Sequence, residues 1–264
     1  MKKLELRLLG GFELRTAEGE PVAGPDTRKA RALLAYLAMH EGRPQRREAL
    51  ADLLWGLSGQ KQAASSLSQA LYSIRKALAP PGVDFIDATH EEVRLEPGVI
   101  AVDVMTFEDL ARAGDPSSLH EALALYRGPF LAGLEIAETG YEHWLSAERS
   151  RLEGLAVDAG SRLIALRDKP DRTSAADAER LLALDPYNEA AHRHLMLFHA
   201  LSGQISRAIR QYEHCREELK EDLDIEPSQE TRDLHMRIKA GEIPPEAATM
   251  PAGPSKRDGT FSSP

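Results

Sequence analysis

The chain has one cysteine, Cys215, among 264 residues. A lone thiol forms neither a disulfide framework nor a thiolate metal cluster, and it fits a reducing compartment. Uninterrupted apolar stretches of roughly 18 residues are missing, and the opening Met-Lys-Lys-Leu-Glu-Leu-Arg alternates charge where a secretory leader would be apolar. The expectation is a soluble, cytoplasmic protein without contact to a membrane. Neither Gly-x-x-x-x-Gly-Lys-Ser/Thr nor Gly-x-Gly-x-x-Gly occurs, so no phosphate-cradling loop supports nucleotide chemistry. His192, His194 and His199 share one helical stretch, but the first two diverge by about 200° around it. His192 and His199 lie on one side, two turns apart, too far for one ion without help from elsewhere. Adjacent His214 and Cys215 diverge likewise, and a single Cys among apolar helices reads as a core filler. No cofactor, metal or enzymatic activity is expected.

The net charge of −9 is unevenly spread. Residues 1–105 hold fourteen Lys+Arg and fourteen Asp+Glu, so the whole acidic excess lies further along. A neutral first half can still meet nucleic acid if its bases are gathered on one face. They are gathered in sequence: Arg28, Lys29 and Arg31 open one predicted helix, and Arg43, Arg46 and Arg47 open the next.

Acid is also missing from one face of the most informative stretch, Gln62 to Leu78. Leu67, Leu71, Ile74 and Leu78 recur at i, i+4, i+7 and i+11, which makes a narrow apolar stripe on a helix. Opposite stand Gln62, Ser65, Gln69 and Lys76, with Tyr72 and Ser73 at the edges. Solvated helix faces ordinarily carry Glu and Lys pairs. Hydroxyls, amides and a lysine are instead groups that match base edges and phosphates, and a major groove admits one helix.

Around this helix the pattern is ordered. Leu4, Leu6 and Leu8 alternate with charged residues, Gly10-Gly11 punctuates, and Phe12 and Leu14 resume, which predicts a small antiparallel sheet. A helix follows from about Thr27, its N-cap, to His40, and a second from about Arg46 to Leu54 with Trp55 at its end. After Leu78, Pro80-Pro81-Gly82 breaks the chain. Val83, Phe85 and Ile86, then Val93 and Leu95, predict a β-hairpin. Sheet, three helices and hairpin is the order of a winged helix-turn-helix, whose last helix enters the major groove with the hairpin as a wing. Glu91 and Glu92 make the wing tip acidic, which opposes deep insertion into the minor groove.

Val102 to Leu110 joins the halves. From Phe107 to Lys239 spacings of three and four dominate, including a long helix from about Tyr141 to Leu166. Helices alternating small and large residues, with Gly turns and Pro186 and Pro227 closing pairs, predict packing like tetratricopeptide (TPR) repeats. From Gly241 onward, scattered Pro, Gly and Ser predict a disordered tail. The fold class is mainly α with a small β component: winged helix-turn-helix at 1–105, all-α TPR-like domain at 106–240, tail at 241–264.

Several motifs carry a family resemblance over roughly residues 4–240. Leu8-Leu9-Gly10 with Phe12-Glu13-Leu14, Arg28 to Leu37, Arg47 to Leu50 with Leu54-Trp55, and Ile74-Arg75-Lys76-Ala77-Leu78 resemble the Streptomyces antibiotic regulatory protein (SARP) family. Tyr126-Arg127-Gly128 with Phe130-Leu131, Trp144-Leu145 with Glu148-Arg149, Leu184-Asp185-Pro186, Asn188 to His192, and Glu226-Pro227-Ser228 resemble its bacterial transcriptional activator domain (BTAD). The resemblance implies a transcription regulator, an activator, that binds double-stranded DNA. Its second domain would support homodimer contacts and contact with the transcription machinery, RNA polymerase. Gln62, Ser65, Gln69, Tyr72 and Lys76 would then face bases or nearby backbone, and Arg28, Lys29, Arg31, Arg46, Arg47 and Arg75 would hold phosphates. The wing departs from the family pattern: Glu92-Val93 precedes Arg94-Leu95 where many members have Gly-Tyr, and Arg94 is left to reach a phosphate. The alternative is a helical-repeat adaptor whose winged helix binds protein, which the neutral charge and acidic wing favour.

Overall fold

The computed structural model describes residues 4–78 and 85–245. Alternation at the start gives β1 (Leu4–Arg7), paired antiparallel with β2 (Glu13–Thr16) so that Leu6 faces Leu14, and β3 (Pro21–Val22) extends the edge. Leu6 and Leu14 turn inward and are buried. α1 (Arg28–Met39) starts where the Thr27 hydroxyl accepts the Ala30 N–H at 3.1 Å, as a capping residue does for an otherwise orphaned donor. Ala30, Leu33, Leu34 and Leu37 on its inner face are buried.

β4 (Gln45–Arg46) leads into α2 (Arg47–Trp55), and α3 (Gln60–Leu78) follows. The hairpin of β5 (Ile86–Ala88) and β6 (Glu92–Leu95) sets Ile86 opposite Leu95, and β4 pairs with the free edge of β6. Sheet, three helices and hairpin therefore stand in the expected order. The break at Pro80-Pro81-Gly82 and the start of the hairpin at Val83 lie outside the described residues.

The join between the halves differs from the sequence reading. Ile100–Val102 forms β7, a fourth strand parallel to β1, and α4 (Asp103–Ala113) starts at once. Three residues are too short to show a period, and their partner strand is almost a hundred positions away. Asp103 locks this junction. Its buried carboxylate accepts the Leu8 and Leu9 N–H groups at 2.8 and 3.1 Å and pairs with Arg127 at 3.2 Å. Burial pushes this carboxyl above its ordinary range, against the pull of those donors.

The helical half continues with α5 (Pro116–Leu125), α6 (Thr139–Ala165), α7 (Arg172–Leu184), α8 (Glu189–Leu201), α9 (Ile205–Leu223) and α10 (Gln229–Lys239). Asp115, Asp171 and Asn188 cap α5, α7 and α8 through their side chains. Consecutive helices from α6 onward pack as neighbours. Gly160 shows why small residues recur here: a Cβ on it would lie 3.0 Å from Leu181 Cδ1, so α6 and α7 approach through the missing side chain. Further along, buried residues of α8, α9 and α10 form a cluster that includes Ile243. Of the tail expected from Gly241 onward, only Gly241 to Pro245 belongs to the described residues.

One apolar cluster runs from Leu6 to Leu163 and so crosses between the halves. Half-buried Trp144 of α6 packs against it, 5.0 Å from the Tyr36 ring of α1, 5.7 Å from Phe130 and 5.5 Å from Tyr141. On either side of Phe130 the Leu131 N–H donates to the Leu8 carbonyl at 2.8 Å, and Gly10 N–H to that of Pro129 at 3.2 Å. Gly10 has φ +96°, and a Cβ there would meet Arg127 Cβ at 3.1 Å, which makes the position unfavourable for any side chain.

Candidate nucleic-acid interface

The two faces of α3 separate as its pattern requires. Ala63, Leu67, Ala70, Leu71, Ile74 and Leu78 are buried, whereas Gln62, Ser65, Gln69 and Lys76 are exposed. Tyr72 is 71% exposed, an uncommon placement for an aromatic ring and one that leaves it free to stack or donate. The side chains of Gln62, Gln69 and Lys76 have no hydrogen-bond or ion-pair partner among the described residues, so their donors and acceptors are not committed within the protein.

The basic residues predicted to hold phosphates fall into two groups. Arg46 is exposed without an ion pair among the described residues. Arg47 reaches across to α3, where its Nη2 donates to Ser68 Oγ at 3.0 Å. Both line a hollow of about 430 Å³ that Glu91 and Glu92 of the wing tip also line, so local acid tempers their field.

The remaining bases are engaged inside the molecule. Arg31 Nε donates to the Pro25 carbonyl at 2.9 Å, and Arg75 Nη2 braces the hairpin through the Ile86 carbonyl at 3.0 Å. Arg94 pairs with Asp87 at 3.0 Å and Glu96 at 3.4 Å, so two carboxylates already offset the one base of the wing. Arg28 Nη2 donates to the Gly133 carbonyl at 2.8 Å, and Lys29 pairs with Glu138 at 2.7 Å. Even so, Arg28 and Lys29 line a hollow of about 460 Å³ together with Ser66, Gln69 and Ser73 of α3. The start of α1 and the polar face of α3 thus form one surface.

Several buried titratable groups of the helical half have structural partners. His192 is buried, with Nε2 donating to the Pro186 carbonyl at 2.9 Å and Nδ1 accepting from Gln211 at 2.8 Å. His194 Nε2 lies 2.8 Å from Ser174 Oγ. Asp177, fully buried, ties α5 to α7 through His120 at 2.8 Å and pairs with Arg180 at 3.3 Å. Burial pushes the Cys215 thiol up to about 12, which leaves it protonated and unreactive. Among the described residues no helix is long and apolar enough to cross a membrane.

Two groups at the seam between the halves escaped the sequence reading: Asp103, behind β7, and Glu138, just before α6. Each is one acid in a varied segment, and only its burial against a distant partner marks it out.

A winged helix with an acid-free outer face on its third helix, joined to a stack of paired helices, is the architecture this chain shares with bacterial transcription regulators. The family model described as bacterial transcriptional activator domain matches residues 102–239, and that described as transcriptional regulatory protein, C terminal, matches residues 23–91. The chain belongs to the SARP family of regulators, with a BTAD as its helical half. It is 28% identical over 259 residues to the transcriptional regulatory protein EmbR of Mycobacterium tuberculosis, covering 90% of this chain and 63% of that protein. MoaR1, a transcriptional regulatory protein of the same organism, is 25% identical over 253 residues, covering 89% and 79%. The regulatory protein AfsR of Streptomyces coelicolor is 28% identical over 239 residues, 84% of this chain but 23% of AfsR. The solved structure of M. tuberculosis EmbR in complex with a low affinity phosphopeptide superposes with a TM-score of 0.62 at 26% identity, covering 91% of this chain and 66% of that one. The chain therefore spans less than two thirds of EmbR and about a quarter of AfsR.

Proposed function

We propose that this protein is a sequence-specific, DNA-binding transcription activator of the cytoplasm, without enzymatic activity. Residues 1–105 contact double-stranded DNA. Residues 106–240 mediate self-association into a homodimer and contact with RNA polymerase. The observation that carries the reading is the outer face of α3: four polar or cationic side chains and an exposed tyrosine, without an acid, beside the bases that open α1 and α2. A phosphate-lined groove accepts such a face, and its amides match adenine edges. The acidic balance of the second half suits a protein partner and repels nucleic acid. Self-association is supported by apolar side chains left in solvent on α9, α10 and between them: Leu223, Ile225 and Met236.

Fluorescence anisotropy of the whole chain against random duplex at low salt tests this. Association that weakens steeply with salt is expected, because bound bases release condensed counterions. A second reading, an adaptor whose winged helix binds protein, draws on the acidic wing and the internal pairing of Arg94; it predicts no anisotropy change at any salt.

A further inference from the structure

Glu138 ends the loop before α6, and its side chain is 5% exposed. Its carboxylate accepts Lys29 Nζ at 2.7 Å and the Leu57 N–H at 3.1 Å, with the Gly56 N–H also directed at it. Two successive backbone N–H groups and a lysine are the donors that commonly cradle a phosphate. Here the chain's own carboxylate fills them. Lys29 Nζ lies 5.6 Å from the centre of the Trp55 ring, a cation–π contact that further holds the ammonium in place. The neighbouring Arg28 is held by Gly133 of the same loop. Yet both bases border the hollow lined by Gln69, on the face read above as meeting DNA.

We infer that Glu138 is an intramolecular stand-in for a DNA phosphate: it holds Lys29 away from the duplex and lowers DNA affinity until the loop Gly133 to Glu138 shifts. The inference rests on the DNA-binding reading of α3. Its physical basis is competition for one ammonium group. When Lys29 turns to a phosphate, Glu138 is left without its cation and close to a second anion, which disfavours the bound state. Because the carboxylate belongs to the helical half and its donors to α1 and the loop after α2, whatever moves this loop also changes the DNA-facing charge.

The test is Glu138→Gln in the whole chain. The amide oxygen still accepts the Leu57 N–H, so the loop keeps one anchor while the charge goes. Affinity for duplex should rise about fivefold, the upper end for one partly exposed ion pair, and the slope of log K against log salt should steepen by about 0.9, one additional phosphate. In a Lys29→Met background the same change should bring no gain. Glu142→Gln, an exposed acid one turn further on, should leave the slope at its original value, which separates competition for Lys29 from simple loss of negative charge. If Glu138→Gln does not fold, Glu138→Asp withdraws the carboxylate by one methylene and should shift affinity and slope in the same direction. Wild-type binding that is salt-sensitive but identical in the Glu138 variants would overturn the inference and leave the DNA reading intact. Absence of salt-sensitive binding in every form would remove both.

Discussion

Gln69→Ala probes the recognition face with little risk to the fold. The side chain is exposed and has no partner among the described residues, so the cost in stability should stay within about 0.5 kcal/mol. If its amide makes a bidentate pair with adenine, removal forfeits about 1–3 kcal/mol of discrimination, or roughly 5- to 150-fold in the ratio of specific to nonspecific affinity. Lys76, in the last turn of the same helix, should behave differently. Lys76→Ala should weaken all duplexes alike and reduce the salt slope by about 0.9, the signature of one lost phosphate contact. The assay is anisotropy with a duplex enriched from a random pool, run beside an unselected duplex across roughly 50 to 200 mM salt. An unchanged affinity ratio in Gln69→Ala, together with an unchanged slope in Lys76→Ala, would refute the placement of this face against bases even if the wild type binds DNA.

Two further outcomes concern the helical half. Gly160→Val should overpack the α6–α7 contact at Leu181, costing about 1–3 kcal/mol and lowering the thermal midpoint by several degrees; a melt superimposable on the wild type would contradict the close approach. Burial lowers the pKa of His192, His194, His199 and His235. The native state resists protonation of these rings while the unfolded chain takes up protons from about pH 6.5 downward, so their contribution is complete above that pH and declines as pH falls. Urea midpoints should therefore drop between pH 7 and 5, and a constant midpoint across that window would show that the rings titrate alike in both states.

Glu138 titrates lower. Burial alone would raise its carboxyl, but hydrogen bonds from Lys29 and the Leu57 and Gly56 backbone, with the charge of Lys29, hold it below the ordinary range. What it contributes to stability is complete above the unfolded carboxyl value and is lost only as pH falls through the depressed one. The Glu138–Lys29 contact should accordingly outlast the histidine-dependent packing during acidification.

Local order along the chain was sufficient for the winged helix. Leu67, Leu71, Ile74 and Leu78 define a stripe by spacing alone, and Thr27 can be recognised as a cap because capping is a short-range hydrogen bond. The polar face of α3 follows from the same arithmetic, since the residues opposite a buried stripe must be outside. The composition of each half, neutral then acidic, likewise needs no coordinates.

Tertiary structure alone decided which charges remain available. Arg28, Lys29, Arg31, Arg75 and Arg94 read as equivalent bases in sequence. Their partners, Gly133, Glu138, Pro25, Ile86, and Asp87 with Glu96, include groups over a hundred positions away, and engagement by a distant group leaves no local period. The same reason hid β7, whose three residues become a strand only against β1, and Asp103 beside it. Periodicity records which side of an element faces inward; it carries no record of what meets that side, because long-range pairing depends on chain topology and not on spacing.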